Sequence, residues 1–264
     1  MPSLAPPPLP REHGAWTMLA IPMALGLSAG GARSEAAWLV PVATVLVFLA
    51  HHAIVPWAQR ARDGKPSPAG YASRRKVWGV AYLAAAAIVF EGAVLAATSE
   101  ARGPFLAIAG AAAMLGAAYA VAAVLGHARS IVPETLGLMG VSLGAPMMAA
   151  AAGRPLDRAL FGPAALALGY FLSSVAYVRA YERMREDRNT AIRRCLLAHA
   201  VLAAALAATA LLGALPPWWW IPFVPVAART VWGLSSPPPN LRALGMGELR
   251  IAVAFTVIAY VVLS

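Results

Sequence analysis

The sequence predicts an all-α integral membrane protein of about nine transmembrane helices, and three observations carry that reading. Of 264 residues, 60% are hydrophobic and 12% are charged, against about 45–50% and about 25% in an ordinary soluble domain. Apolar runs of roughly 18–22 residues recur along the chain, and about 20 are needed to cross the hydrocarbon. Lys and Arg crowd into alternate connections between those runs, as they do in cytoplasmic loops. Alanine supplies much of the apolar content, so close helix packing is expected.

Residues 1–10 hold Pro2, Pro6, Pro7, Pro8 and Pro10 and read as a disordered lead; residues 11–264 read as one helical domain. Span 1 covers residues 14–30, kinked at Pro22, and is expected to be an uncleaved first span because its apolar run is long for a signal peptide. Span 2, residues 36–58, carries His51, His52 and Pro56 and leads into a basic loop over 59–76. Span 3 covers 77–97 with Glu91 inside it, span 4 covers 104–125, and span 5 covers 131–152 behind Pro133-Glu134. In span 5, Gly137, Gly140 and Gly144 read as helix-contact residues. Span 6 covers 159–178 and runs into a charged extension; span 7 covers 195–215 and carries His199. Span 8, residues 217–234, opens on Trp218-Trp219-Trp220 and contains Arg229, which needs a carboxylate or carbonyl partner. Span 9 covers 248–263.

The connection after span 2 holds Arg60, Arg62, Lys65, Arg74, Arg75 and Lys76, and that after span 6 holds Arg179, Arg183, Arg185, Arg188, Arg193 and Arg194. The connections after spans 1, 3, 5 and 7 hold only Arg33, Arg102, Arg154 and Arg158. The N-terminus is therefore expected inside, the C-terminus outside, and the Trp cluster at the outer interface. The net charge of +10 points to anionic lipid; no nucleic-acid-binding module is recognisable. Cys195 is the single cysteine, which excludes an intrachain disulfide. No nucleotide loop, serine elbow, zinc helix or haem-attachment motif is recognisable.

The chemistry-bearing residues gather at the predicted inner ends. Arg11-Glu12-His13-Gly14-Ala15-Trp16 stands directly before span 1. Arg11 and Trp16 are explained as a snorkelling charge and an interfacial anchor, but Glu12 and His13 ask for water, headgroups or a buried partner. His52, Pro56 and Arg60 share one helical face; Ser174, Tyr177 and Tyr181 share another, with Arg179 and Glu182 beside them. Such a wall presents donors and cations able to clamp a phosphate or carboxylate. His51 and His52 point about 100° apart on a helix, a poor arrangement for a shared metal, and no metal site is expected. Glu91 is expected as a buried carboxyl, a proton relay or a packing partner; Glu134 suits a first helical turn. The candidate pocket comprises Arg11, Glu12, His13, His51, His52, Arg60, Lys65, Glu91, Tyr177, Arg179, Tyr181 and Glu182.

The opening Arg-Glu-His-Gly-Ala-Trp, with Pro22 and Gly26 in the following span and Tyr177-Val178-Arg179 near the end of a later one, resembles the YwiC-like bacterial membrane proteins. In layout, with nine spans and basic loops after spans 2 and 6, the chain also resembles the UbiA-type intramembrane prenyltransferases, which implies a UbiA-like bundle. The stretch Gly64-Lys65-Pro66-Ser67-Pro68-Ala69-Gly70 with Ser73-Arg74-Arg75 is similar to their basic loop. That resemblance implies Mg²⁺ held by Asp-rich motifs at the ends of spans 2 and 6. The sequence departs there: it has His51-His52 through Arg60 with only Asp63 acidic nearby, and Tyr177 through Arg183 with Glu186-Asp187 further on. Mg²⁺ takes hard carboxylate oxygens, so no cofactor is expected unless the protein is prenyltransferase-like.

The leading expectation is a multi-spanning protein of the bacterial cytoplasmic membrane, with a basic pocket on the cytoplasmic side for a lipid or isoprenoid anion. Membrane lipids are its expected partners, and the sequence leaves oligomeric state open. A divergent prenyltransferase is the enzymatic alternative. A transporter or a structural subunit of a membrane complex is the third, with Glu91 and the His pair on an ion path.

Overall fold

Caps and prolines punctuate the chain where backbone chemistry requires it. The computed structural model describes residues 6–10, 13–30, 34–66, 70–237 and 240–264, with His13 and Gly14 described by backbone alone. The first four helices are α1 (His13–Ser28), α2 (Glu35–Arg62), α3 (Tyr71–Ala96) and α4 (Ser99–Val124), the last capped by the Thr98 hydroxyl accepting from the Ala101 amide. Span 5 is two pieces, α5 (Ile131–Ser142) and α6 (Gly144–Ala151). Pro146 has no N–H for the Ser142 carbonyl, and its ring would clash with it, so the helix breaks at that turn. The Ser142 hydroxyl donates to the Leu138 carbonyl at 2.7 Å, which favours the same bend. After α7 (Gly162–Arg183), α8 (Arg188–Leu211) is capped by Asp187 through the Thr190 amide. A 3₁₀ turn over Ile221–Phe223 precedes α9 (Val224–Ser235), and α10 (Leu241–Leu263) is capped by Asn240 through the Ala243 amide.

The architecture is all-α among the described residues, and seven helical stretches, α5 and α6 together counting as one, are long and apolar enough to cross a membrane. The count of about nine expected above includes two shorter ones. The α1 helix has 16 residues, about 24 Å at 1.5 Å per residue, and α9 has 12, about 18 Å. The other differences are at the ends. The α3 helix begins at Tyr71 and α10 at Leu241, well before the apolar runs begin, because a helix needs no apolar residues where it leaves lipid.

Two cores form. One joins α2, α3, α4 and α6 around Phe105, Val40 and Met148; the other joins α5 and α7–α10 around Phe255, Leu166 and Tyr170. The α1 and α6 helices contribute to both. They cross closely at two glycines: a Cβ on Gly26 would sit 3.0 Å from the Ala145 carbonyl, and one on Gly144 would sit 2.7 Å from the Met23 methyl. Gly137 and Gly140 lie against Tyr119 and Leu115 of α4, in the helix-contact role expected for them.

Arginines finish many helices. The last carbonyls of a helix have no intrahelical donor, and a cation there also suits the helix dipole. Arg102 donates to the carbonyls of Val94, Ala97 and Leu95 at 3.0, 3.1 and 3.2 Å, closing α3. Arg62 reaches the Val124 carbonyl at the end of α4. Arg188 reaches those of Leu234 and Ser235 in α9, and Arg158 that of Leu212 after α8. Arg75 serves a break inside a helix: Pro56 leaves the His52 carbonyl without its amide partner, and Arg75 donates to it at 2.6 Å.

Candidate functional site

Four helices bring a polar cluster together where the core around Tyr170 meets the smaller one around Tyr177. The α7 helix supplies Tyr170, Ser173, Ser174 and Tyr177; α8 supplies Cys195 and His199; α9 supplies Arg229 and Thr230; α10 supplies Glu248. At its centre Arg229 Nη1 lies 3.0 Å from Glu248 Oε1, with side chains only 8% and 15% exposed. The guanidinium also sits over the Tyr177 ring, its Cζ 4.3 Å from the centroid, a contact that strengthens as water is removed. Ser174 donates to Glu248 Oε2, and the Tyr170 hydroxyl to the Glu248 backbone carbonyl at 3.4 Å. Gly233 on α9 makes room for Tyr177, whose hydroxyl lies 1.9 Å from where a Cβ would be.

His199 is wired into the same cluster. Its Nδ1 lies 2.8 Å from the Cys195 carbonyl, which can only accept, so Nδ1 carries the proton. Nε2 then accepts from the Ser173 hydroxyl at 2.8 Å. Thr230 Oγ1, 3.1 Å from Nε2, gives its own proton to the Val226 carbonyl. Both ring nitrogens of a neutral imidazole are satisfied.

Arg229 is not. None of its three nitrogens, nor Glu248 Oε1, has a hydrogen-bond partner among the described residues, although all are buried. The 3.0 Å contact is an ion pair whose N–H directions miss the oxygen. Buried donors without acceptors are rare and destabilising.

Beyond this cluster lies an open cleft of about 630 Å³ lined by Tyr181, Glu182, Arg185, Asn240, Leu241 and Arg242. Tyr181 follows Tyr177 by four residues, one helical turn. The cleft therefore lies about one turn of α7 beyond Tyr177, at the bundle end where α7 finishes and α10 begins.

The residues expected in one pocket fall into separate groups. Tyr177 is in the buried cluster, and Tyr181 and Glu182 line the cleft beyond it. Arg179 pairs with Glu134 and donates to the Arg129 carbonyl at 2.7 Å, tying α7 to the start of α5. His51 stacks on Tyr119 of α4 at 5.5 Å between ring centroids. His52 packs on Phe48 at 4.5 Å, and Phe48 packs on Trp16 at 5.8 Å, which links the entry of α1 to the His pair. Arg60 donates to the Pro66 carbonyl and lies over Tyr71; Lys65 pairs with Asp63 in solvent. Glu91 is exposed on α3, against the expectation of a buried carboxyl. Arg11 and Glu12 lie outside the described residues, as does the His13 side chain.

Asp63 and Asp187, the aspartates near the basic ends, are occupied locally. Arg62 and Lys65 hydrogen-bond to Asp63 and hold its carboxyl below the usual range. Asp187 caps α8. Among the described residues no three or more His, Cys, Asp or Glu side chains are grouped to hold a metal ion. The partners that sequence reasoning missed are Glu248, Ser173 and Thr230. For Glu248 there was a signal. Asn240 after a Pro-rich stretch is an N-cap, which starts the helix at Leu241 and sets Glu248 two turns inside it.

Comparison with known proteins follows the N-terminal part. The model of the YwiC-like protein family matches residues 9–149, just over half of the chain. No curated protein matches the chain, and no solved structure does.

Proposed function

The chain belongs to the YwiC-like family, and from that premise and the geometry above we propose that it binds the anionic headgroup of a membrane amphipath, a lipid phosphate or an isoprenoid phosphate, at the bundle end formed by α7 and α10. The observation that carries this is the cleft of about 630 Å³ with Arg185 and Arg242 on its walls, one turn of α7 beyond the Tyr177 that packs on Arg229. Its volume is that of a small-ligand site, and guanidinium is the side chain best matched to phosphate oxygens. The N-terminus of α10 opens on the same cleft and adds its positive dipole end. The bundle end in question carries Arg179, Arg183, Arg185, Arg193, Arg194 and Arg242, which under the positive-inside rule supports assigning it to the cytoplasmic face.

Binding is favoured over prenyl transfer. Ionising a diphosphate with Mg²⁺ needs converging carboxylates, whereas Asp63 is engaged by Arg62 and Lys65 and Asp187 by Thr190. The test is native mass spectrometry of the purified full chain with its co-purified lipids. Retention of a phosphate-bearing anionic lipid is expected, and combined Arg185→Ala and Arg242→Ala substitution should remove it. An empty protein, or equal retention of zwitterionic lipid in the double variant, overturns the reading.

A further inference from the structure

Arg229 and Glu248 form a buried pair with no net charge and with bonding capacity left over. Arg229 Nε, Nη1 and Nη2 have no acceptor, and Glu248 Oε1 has no donor, among the described residues. Ser174 occupies only the other carboxylate oxygen, Oε2. An anion that entered alone would leave one uncompensated negative charge in a buried site, which is strongly unfavourable. A proton arriving with it keeps the site neutral. Protonation of Glu248 at Oε1 converts that oxygen from acceptor to donor and releases Arg229 from its carboxylate. The guanidinium N–H groups and the carboxyl O–H can then both donate to one anion.

We propose that the Arg229–Glu248 pair is a proton-coupled anion site, taking one proton from water onto Glu248 for each phosphate headgroup that Arg229 binds. This rests on the function proposed above and names the chemistry of its inner end. The groups around Glu248 single it out as the proton acceptor. From α7 it is faced by Tyr170, Ser174 and Tyr177, and from α9 by Arg229. Cys195 and His199 of α8 lie behind Ser173, with both His199 nitrogens committed. The described side chains of α1, residues 15–28, and the 3₁₀ turn Ile221–Phe223 bring no titratable or charged group. The tyrosines stay protonated across the physiological range, which leaves Glu248 with an open oxygen and a cation to release.

Calorimetric titration of the purified full chain in neutral detergent tests this. Two probes separate the lipid sources: dihexanoyl phosphatidylglycerol and the methyl ester of farnesyl phosphate. Both are phosphodiesters of fixed single charge between pH 5 and pH 9, so any titration belongs to the protein. Where Glu248 is ionised in the free protein, Kd should rise about tenfold per pH unit. Paired buffers of different ionisation enthalpy should count about one proton taken up per anion. Glu248→Gln should abolish both the slope and the uptake, and should bind at pH 8 as tightly as the unaltered protein does at low pH. If that variant does not fold, the proton count and slope of the unaltered chain decide. Binding with a flat pH profile and no uptake overturns the coupling while leaving anion binding standing. A slope that survives Glu248→Gln overturns the assignment to Glu248. No binding of either probe at any pH overturns this proposal together with the reading it rests on.

Discussion

Replacing Gly233 by Ala probes the packing that keeps Tyr177 on Arg229. The new Cβ would lie 1.9 Å from the Tyr177 hydroxyl oxygen, 2.7 Å from Cζ and 2.9 Å from Cε2, where nonbonded atoms settle at about 3.5–4.0 Å. The ring must therefore retreat by roughly 1.5–2 Å. It has little room, since Tyr177 is 2% exposed and sits among Ala180, Ala191, Cys195, Leu234 and Leu244. Overpacking of this kind costs about 1–3 kcal/mol. Loss of the buried cation–π contact adds up to about 2 kcal/mol, and the better helix propensity of Ala returns about 1 kcal/mol. The net expectation is a destabilisation centred near about 2 kcal/mol, within a span of roughly 0–4 kcal/mol. Reversible unfolding in mixed micelles, followed by tryptophan fluorescence, measures it. Gly245→Ala on α10 is the control: it meets nothing within 4 Å, so it should be neutral or slightly stabilising. Adding Tyr177→Phe removes the nearest clashing atom and should recover part of the loss. A Gly233→Ala variant as stable as the parent would refute the packing argument.

Three further outcomes are expected. Glu248→Leu alone should destabilise the fold by about 3–5 kcal/mol by stranding the Arg229 charge, whereas Glu248→Leu combined with Arg229→Met should return close to the parent; the same unfolding assay compares them. Arg75→Ala should cost about 1–2 kcal/mol, as expected for a partly buried charge-assisted hydrogen bond. Most of that loss should vanish in a Pro56→Ala background, where the His52 carbonyl regains an amide partner; a double-mutant cycle reads the difference. The Asp187 carboxyl is pulled below its ordinary value of 3.8, first by its hydrogen bond to the Thr190 side chain and then by the Thr190 amide. A depressed carboxylate contributes stability that is present above its unfolded value and lost as pH falls through its folded value. Hydrogen exchange at the Thr190 amide should therefore accelerate, relative to its intrinsic rate, only below about pH 4; Asp187→Asn should remove that dependence.

Some of this chemistry was legible in the residues. Intramembrane Arg229 demanded a partner, because an unpaired cation cannot stay in a buried site, and it has Glu248. The helical spacing of Ser174, Tyr177 and Tyr181 did mark one working face: the first two touch the ion pair or its members, and the third lines the cleft beyond them. Glu91 misled, because position within an apolar run states depth and not direction; it is exposed on α3. The His pair was expected in the same pocket as Tyr177, but His51 is held by Tyr119 on α4 and His52 by Phe48 on its own helix. Arg62, Arg102, Arg158 and Arg188 were read only as topology signals, yet each closes a helix end.

By itself the sequence determined the all-helical class, the approximate helix limits and the crowding of positive charge into alternate connections. Each is set by transfer from water and by local backbone chemistry, which a residue carries wherever it is placed. Tertiary structure alone decided that α1 and α6 would be shared by two cores, and that the partner of Arg229 would be Glu248. It also decided that a buried guanidinium would keep donors to spare. Those depend on how helices far apart in the chain rotate against one another, and a rotation of one residue, about 100°, turns a buried carboxyl into an exposed one.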